Sequence, residues 1–103
     1  MSAKRKPTHP GQFLREEFLE PNEITQEAFA NALKINRVTV SKILNTHQRI
    51  TPDVALRLSK CLDTTPEVWL NMQIKVDLWE EQHNLRHRKL RGLLKPLIII
   101  QAI

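Results

Sequence analysis

The sequence is poor in cysteine, glycine and aromatic residues: one Cys, two Gly and no Tyr in 103 residues. A single cysteine, Cys61, excludes an internal disulfide and fits a reducing compartment. Cys61 falls on an apolar helical stripe, so it is expected in the core rather than as a reactive thiol. Two glycines are too few for a turn-rich sandwich or barrel or for a phosphate-binding glycine loop, and the balance favours helices. Long apolar runs are also missing. The longest, Leu97 to Ile100, is far too short to span a bilayer, and Met1 to Pro7 is basic and polar with no apolar run behind it, so neither a membrane span nor a secretory signal is expected. No nucleophile and base stand at a catalytic spacing, which argues against an enzyme. His83 and His87 lie one helical turn apart, but Glu80, Glu81 and Cys61 supply no closing ligand set. No metal and no cofactor is assigned.

What the chain does have is positive charge and helix punctuation. Lys and Arg total 16 against 11 Asp and Glu, a net charge of +5, so a polyanion is the natural partner to test first. Residues 21–50 carry Lys34, Arg37, Lys42 and Arg49 against Glu23 and Glu27, whereas 51–80 carry five acids against Arg57, Lys60 and Lys75. The length allows one domain with one modest core. Its expected layout is a flexible basic arm over 1–8, a helical domain over 9–80 and a basic, apolar tail over 81–103.

Pro10 suits a first helical position, and Phe13, Leu14 and Phe18 recur at helical spacing until Pro21 forbids continuation. Thr25 caps a short second helix with Phe29, Ala30 and Leu33 on its buried stripe. After a turn through Lys34 and Ile35, Asn36 caps a third helix whose Val40, Ile43 and Leu44 face inward. Thr51-Pro52-Asp53 and Thr65-Pro66-Glu67 each combine a cap, a proline at the first position and an early acid, so two more helices follow, the last to about His83. The fold class is therefore all-α.

Two short helices joined by a tight turn expose the outer face of the second to the DNA major groove. On that face Arg37 can bond guanine bidentately, Val38 and Thr39 can meet thymine methyls, and Lys42 extends the reach, with Ser41 beside them. Gln26, the free amides of the second helix, Asn45 and Arg49 suit phosphate contacts that hold register without reading sequence. On spacing alone, a solvated polar face explains Arg37, Thr39 and Lys42 equally well.

His9-Pro10-Gly11, the run from Leu14 to Pro21, Thr25-Gln26, Ala30, Leu33, Ile43-Leu44-Asn45, Ile50-Thr51, the run from Ala55 to Leu58, the run from Thr65 to Gln73 and Asp77-Leu78-Trp79 together resemble HigA-type antitoxins. The resemblance covers roughly residues 9–79. It implies a five-helix, lambda-repressor-like DNA-binding domain, a homodimer on a palindromic operator at its own promoter, and a partner toxin of the HigB/RelE kind, an mRNA endonuclease. A regulator of the same family without a toxin is the alternative. Two departures stand out: Lys34 occupies the turn where a glycine is usual, and Asn45-Thr46 replaces Asn-Gly, so a left-handed backbone at either place costs about 1 kcal/mol.

The last long helix is apolar on more than one face. Trp69, Met72, Val76 and Trp79 form one stripe, expected at the dimer contact, and Leu70, Ile74 and Leu78 form a second. Ordinary core placement of both tryptophans is the competing reading. Beyond Trp79 come a basic run (Arg86, Arg88, Lys89, Arg91, Lys95) and the β-prone Leu97 to Ile103, expected to dock on a second protomer or a toxin.

Overall fold

The computed structural model describes residues 5–98, and there the chain is helical throughout, with six helices and no strand. Helix α1 (Pro10–Leu14) begins where the proline was expected to begin it and widens into a π-helical turn over Arg15–Leu19, closed by the Glu20 amide donating to the Arg15 carbonyl at 2.9 Å. Leu14, Phe18 and Leu19 all stay on its core side. The predicted caps operate: the Thr25 hydroxyl accepts from the Ala28 amide ahead of α2 (Gln26–Leu33), Asn36 accepts from Val38 ahead of α3 (Arg37–Leu44), and Thr51 accepts from Val54 ahead of α4 (Pro52–Leu62). Thr65 precedes α5 (Pro66–His83) without a side-chain cap bond, leaving Pro66 and Glu67 as its start signal. A sixth helix, α6 (Leu85–Leu93), capped by Asn84, occupies part of the segment expected as a basic, apolar tail. Of Leu97 to Ile103, residues 99–103 lie outside the described residues, as do residues 1–4 of the basic arm.

One core holds α1 to α5 together, built from Leu14, Leu19, Phe29, Leu33, Val40, Ile43, Leu44, Ile50, Val54, Leu58 and Trp69. The stripes read for α2, α3 and the front of α4 all point into it, as burial of a single face per helix requires.

Two expectations need correction. Trp69 is 1% exposed and ringed by Phe13 and Phe18, with its indole Nε1 donating to the Thr64 hydroxyl at 2.8 Å. Val76 is equally buried, and Met72 lies half-buried against the core. This first stripe of α5 is therefore spent on the protomer's own interior, because α1 and α4 both lie across it. Trp79 is also only half-buried and is covered locally: its ring stacks on His83 with centroids 3.9 Å apart, and Lys6 sits 5.7 Å over it. Outward instead are Ile74, 52% exposed, and Leu78, 56% exposed, from the second stripe. Cys61 is exposed, not core; its Sγ lies 3.4 Å from the Ala32 carbonyl, where the end of α4 overhangs the edge of α2. In the described part of the arm, the exposed Lys6 pairs with Glu80 at 3.0 Å.

Candidate nucleic-acid interface

Helices α2 and α3 meet through a turn of three residues in which Lys34 takes φ 57°, the left-handed conformation that glycine adopts more cheaply. The lysine is held there from behind. Arg57 of α4 sends Nη1 to both the Leu33 and Lys34 carbonyls at 2.9 Å, while its Nε is held by Asp53 at 3.1 Å. One guanidinium thus satisfies the carbonyls left open at the end of α2 and fixes the angle at which α3 departs.

Helix α3 is fixed at its other end too. Arg15 donates to the Leu44 carbonyl at 3.1 Å, the Asn45 side chain donates to the Ser41 carbonyl at 2.9 Å, and the chain turns away through Thr46 at φ 63°. Gly11 makes the close approach of α1 possible: a Cβ there would stand 1.7 Å from the Ile43 carbonyl oxygen. Just before it, the buried His9 caps α1 by accepting from the Gly11 amide through Nδ1 at 2.9 Å. Burial holds His9 below its ordinary pKa, so the ring is neutral and the acceptor is available. A group held down in this way favours the folded state above its unfolded pKa, about 6.5, and loses that contribution as the pH falls below it. The melting temperature of the chain is therefore expected to fall between about pH 7.5 and 5.5, and His9→Asn, which keeps a capping oxygen, should flatten that slope. An unchanged slope in the variant would remove His9 as the cause.

The outer face that results gathers most of the residues singled out from the sequence. Gln26 from α2 and Arg37, Val38, Ser41 and Lys42 from α3 line one shallow depression of about 300 Å³. Arg37 and Lys42 are exposed and unpaired among the described residues, and Val38 is 61% exposed, an apolar side chain left in solvent among polar neighbours. Thr39 lies outside this depression and is half-buried. Asn45 spends its amide on the end of α3. Arg49 stands apart, donating Nε and Nη2 to the Asp77 carboxylate of α5, which in turn accepts from Gln73. That pairing holds Asp77 below and Arg49 above their usual ranges. Gln73, 2% exposed, also accepts from the Ile50 amide at 2.8 Å, so α5 braces the loop that follows α3.

Four of these supports, Gly11, Arg15, Arg57 and Gln73, were not legible as site residues. Their partners are backbone groups 23 to 32 residues away in sequence, and only the Asp53 to Arg57 spacing left a local trace.

A short helix set behind a tight turn, with its polar face open and both ends anchored, is the geometry of a DNA-reading helix-turn-helix. The helix-turn-helix family model matches residues 16–69. The chain belongs to that family, in its HigA-like branch. Its relatives include an HTH-type transcriptional regulator of Haemophilus influenzae, 45% identical over 91% of this chain and 88% of that protein. Antitoxin HigA-1 of Vibrio cholerae is 42% identical over 93% of this chain and 89% of its own. Among solved structures, the Pseudomonas aeruginosa antitoxin HigA with the higBA promoter superposes with a TM-score of 0.82 at 34% identity, covering 89% of this chain and 99% of that one. The family is one of transcription regulators and antitoxins, not of enzymes.

Proposed function

We propose that this HigA-like protein is a sequence-specific DNA-binding repressor of its own promoter and the antitoxin of a HigB-like mRNA endonuclease. The observation that carries the DNA half is an outward depression that joins Gln26 to Arg37, Val38, Ser41 and Lys42. Arg37 and Lys42 supply donors for base edges, Val38 and Thr39 suit thymine methyls, and Gln26 and the amides at the start of α2 fit phosphate. Asn45 and Arg49 follow α3, but the Ser41 carbonyl and Asp77 hold them, so a flanking phosphate contact from either needs that bond to give way. Support for the antitoxin half comes from the Vibrio and Pseudomonas relatives, both named HigA. The name of the Haemophilus relative favours a second reading, a regulator without a toxin. Co-expression with the product of the adjacent gene separates them: an antitoxin co-purifies with, and neutralises, a small basic endonuclease.

Arg37→Ala should cost about 1 to 3 kcal/mol on a duplex from the chain's own promoter and little on scrambled duplex, while Gln26→Ala should weaken both evenly. Anisotropy titrations decide it; equal losses for both variants on both duplexes would end this division of roles.

The operator is expected to be palindromic, read by a homodimer that sets two copies of α3 about 34 Å apart. The dimer surface is the exposed stripe of α5, Ile74 and Leu78 with the half-buried Leu70, rather than Trp69 and Val76. Leu78→Lys should shift sedimentation from dimer to monomer without lowering the melting temperature of the dilute chain; an unchanged dimer would place the interface elsewhere.

A further inference from the structure

Residues 1–81 contain eleven Lys and Arg and eleven Asp and Glu, so the whole net charge of +5 resides in residues 82–103, which hold no acid at all. Four of the five cations, Arg86, Arg88, Lys89 and Arg91, stand on α6, and Lys95 follows it. All five are exposed, and none is in an ion pair among the described residues. The helix is a formed element, since Asn84 accepts from the amides of Arg86 and His87 and Arg91 reaches back to the Gln82 carbonyl at 3.3 Å.

Its position matters as much as its charge. Glu80 lines the same groove as Thr46, in the loop that leaves α3, and α6 begins about one helical turn beyond Glu80. The basic helix therefore starts shortly after a residue that shares a groove with the loop leaving α3. At 100° per residue, Leu85, Leu90 and Leu93 fall within one arc of about 140° that also holds Arg86 and Lys89, and Arg88 and Arg91 lie opposite it. Arg88 and Arg91 therefore point away from the leucine side, while Arg86 and Lys89 share it.

We propose that α6 is a second DNA-binding element, a sequence-independent phosphate-binding helix that adds electrostatic affinity to a protein whose remaining 81 residues carry no net charge. Counterion release grows with the number of phosphates neutralised, so an acid-free basic helix adds to the contribution of Arg37 and Lys42. The inference rests on the chain binding DNA, and on neither the operator nor the toxin.

The test uses the full chain with Arg86→Gln, Arg88→Gln, Lys89→Gln and Arg91→Gln together, titrated onto a scrambled duplex of about 30 base pairs between about 50 and 200 mM KCl. The slope of log Kd against log salt should fall by about 2 to 4, at about 0.9 for each phosphate that is no longer neutralised. The preference for promoter over scrambled duplex should stay unchanged. Since α6 buries no residue, the variant is expected to keep its melting temperature, and a second variant with Arg86, Arg88 and Arg91 changed to Lys should retain the wild-type slope. An unchanged slope in the glutamine variant overturns the proposal, and a simultaneous loss of binding to anionic phospholipid vesicles would assign the helix to a membrane surface instead. A wild-type chain with no duplex affinity at all would overturn the DNA reading, and this proposal with it.

Discussion

Gly11→Ala is expected to destabilise the fold by about 3 kcal/mol or more, a large effect for one methyl group. The reason is a clash with backbone rather than with a side chain. A Cβ at Gly11 would lie 1.7 Å from the Ile43 carbonyl oxygen, 2.7 Å from the carbonyl carbon and 3.1 Å from His9 Nδ1. The two Ile43 atoms are backbone of α3 and cannot swing away as a flexible side chain could, and the His9 ring is held as the cap of α1. Either α1 withdraws from α3, opening the core at Leu14 and Leu44, or α3 shifts and carries Arg37 and Lys42 with it. Urea unfolding reads the loss directly, and promoter-duplex affinity reads the displacement. A stability change under about 1 kcal/mol would mean that α1 slides freely along α3 and that the close approach has no structural role.

Trp69→Ala should cost about 3 to 5 kcal/mol. Trp69 meets Phe13 and Phe18 edge-on with ring centroids 6.1 and 6.0 Å away, the two phenyl rings stand 6.0 Å from each other, and the Thr64 hydroxyl accepts from its indole. Removing it leaves a cavity bounded by α1 and α5 and strips Thr64 of its partner. The measurement also separates core from interface. A core residue gives a loss of stability that does not depend on protein concentration, whereas a dimer-interface residue gives one that shrinks as concentration rises. A concentration-dependent loss at Trp69 would return it to the interface.

The two-stripe pattern of α5 shows where sequence reading stops. Trp69, Met72, Val76 and Trp79 and, on the other side, Leu70, Ile74 and Leu78 are both apolar at helical spacing, so periodicity reports two faces without ranking them. The ranking came from α1 and α4, which cover one face and leave Ile74 and Leu78 in solvent. Cys61 failed similarly: its phase on α4 matched Leu58, but α2 ends too soon beside it to bury it. The helix starts, by contrast, were legible because each cap bonds an amide two or three residues away. The strain at Lys34 and Thr46 was legible only through the resemblance, which implies a glycine at both places.

The sequence alone determined the all-helical class, the starts of five helices, the outward phase of Arg37, Val38 and Lys42, and the concentration of charge after residue 81, all consequences of periods, caps and counts that act over a few residues. Only the tertiary structure decided which stripe of α5 faces solvent and which distant groups hold α3 at both ends. Those choices depend on packing between segments roughly 25 to 60 residues apart, such as Arg57 with Leu33, Gly11 with Ile43 and Trp69 with Phe13, which no local pattern specifies.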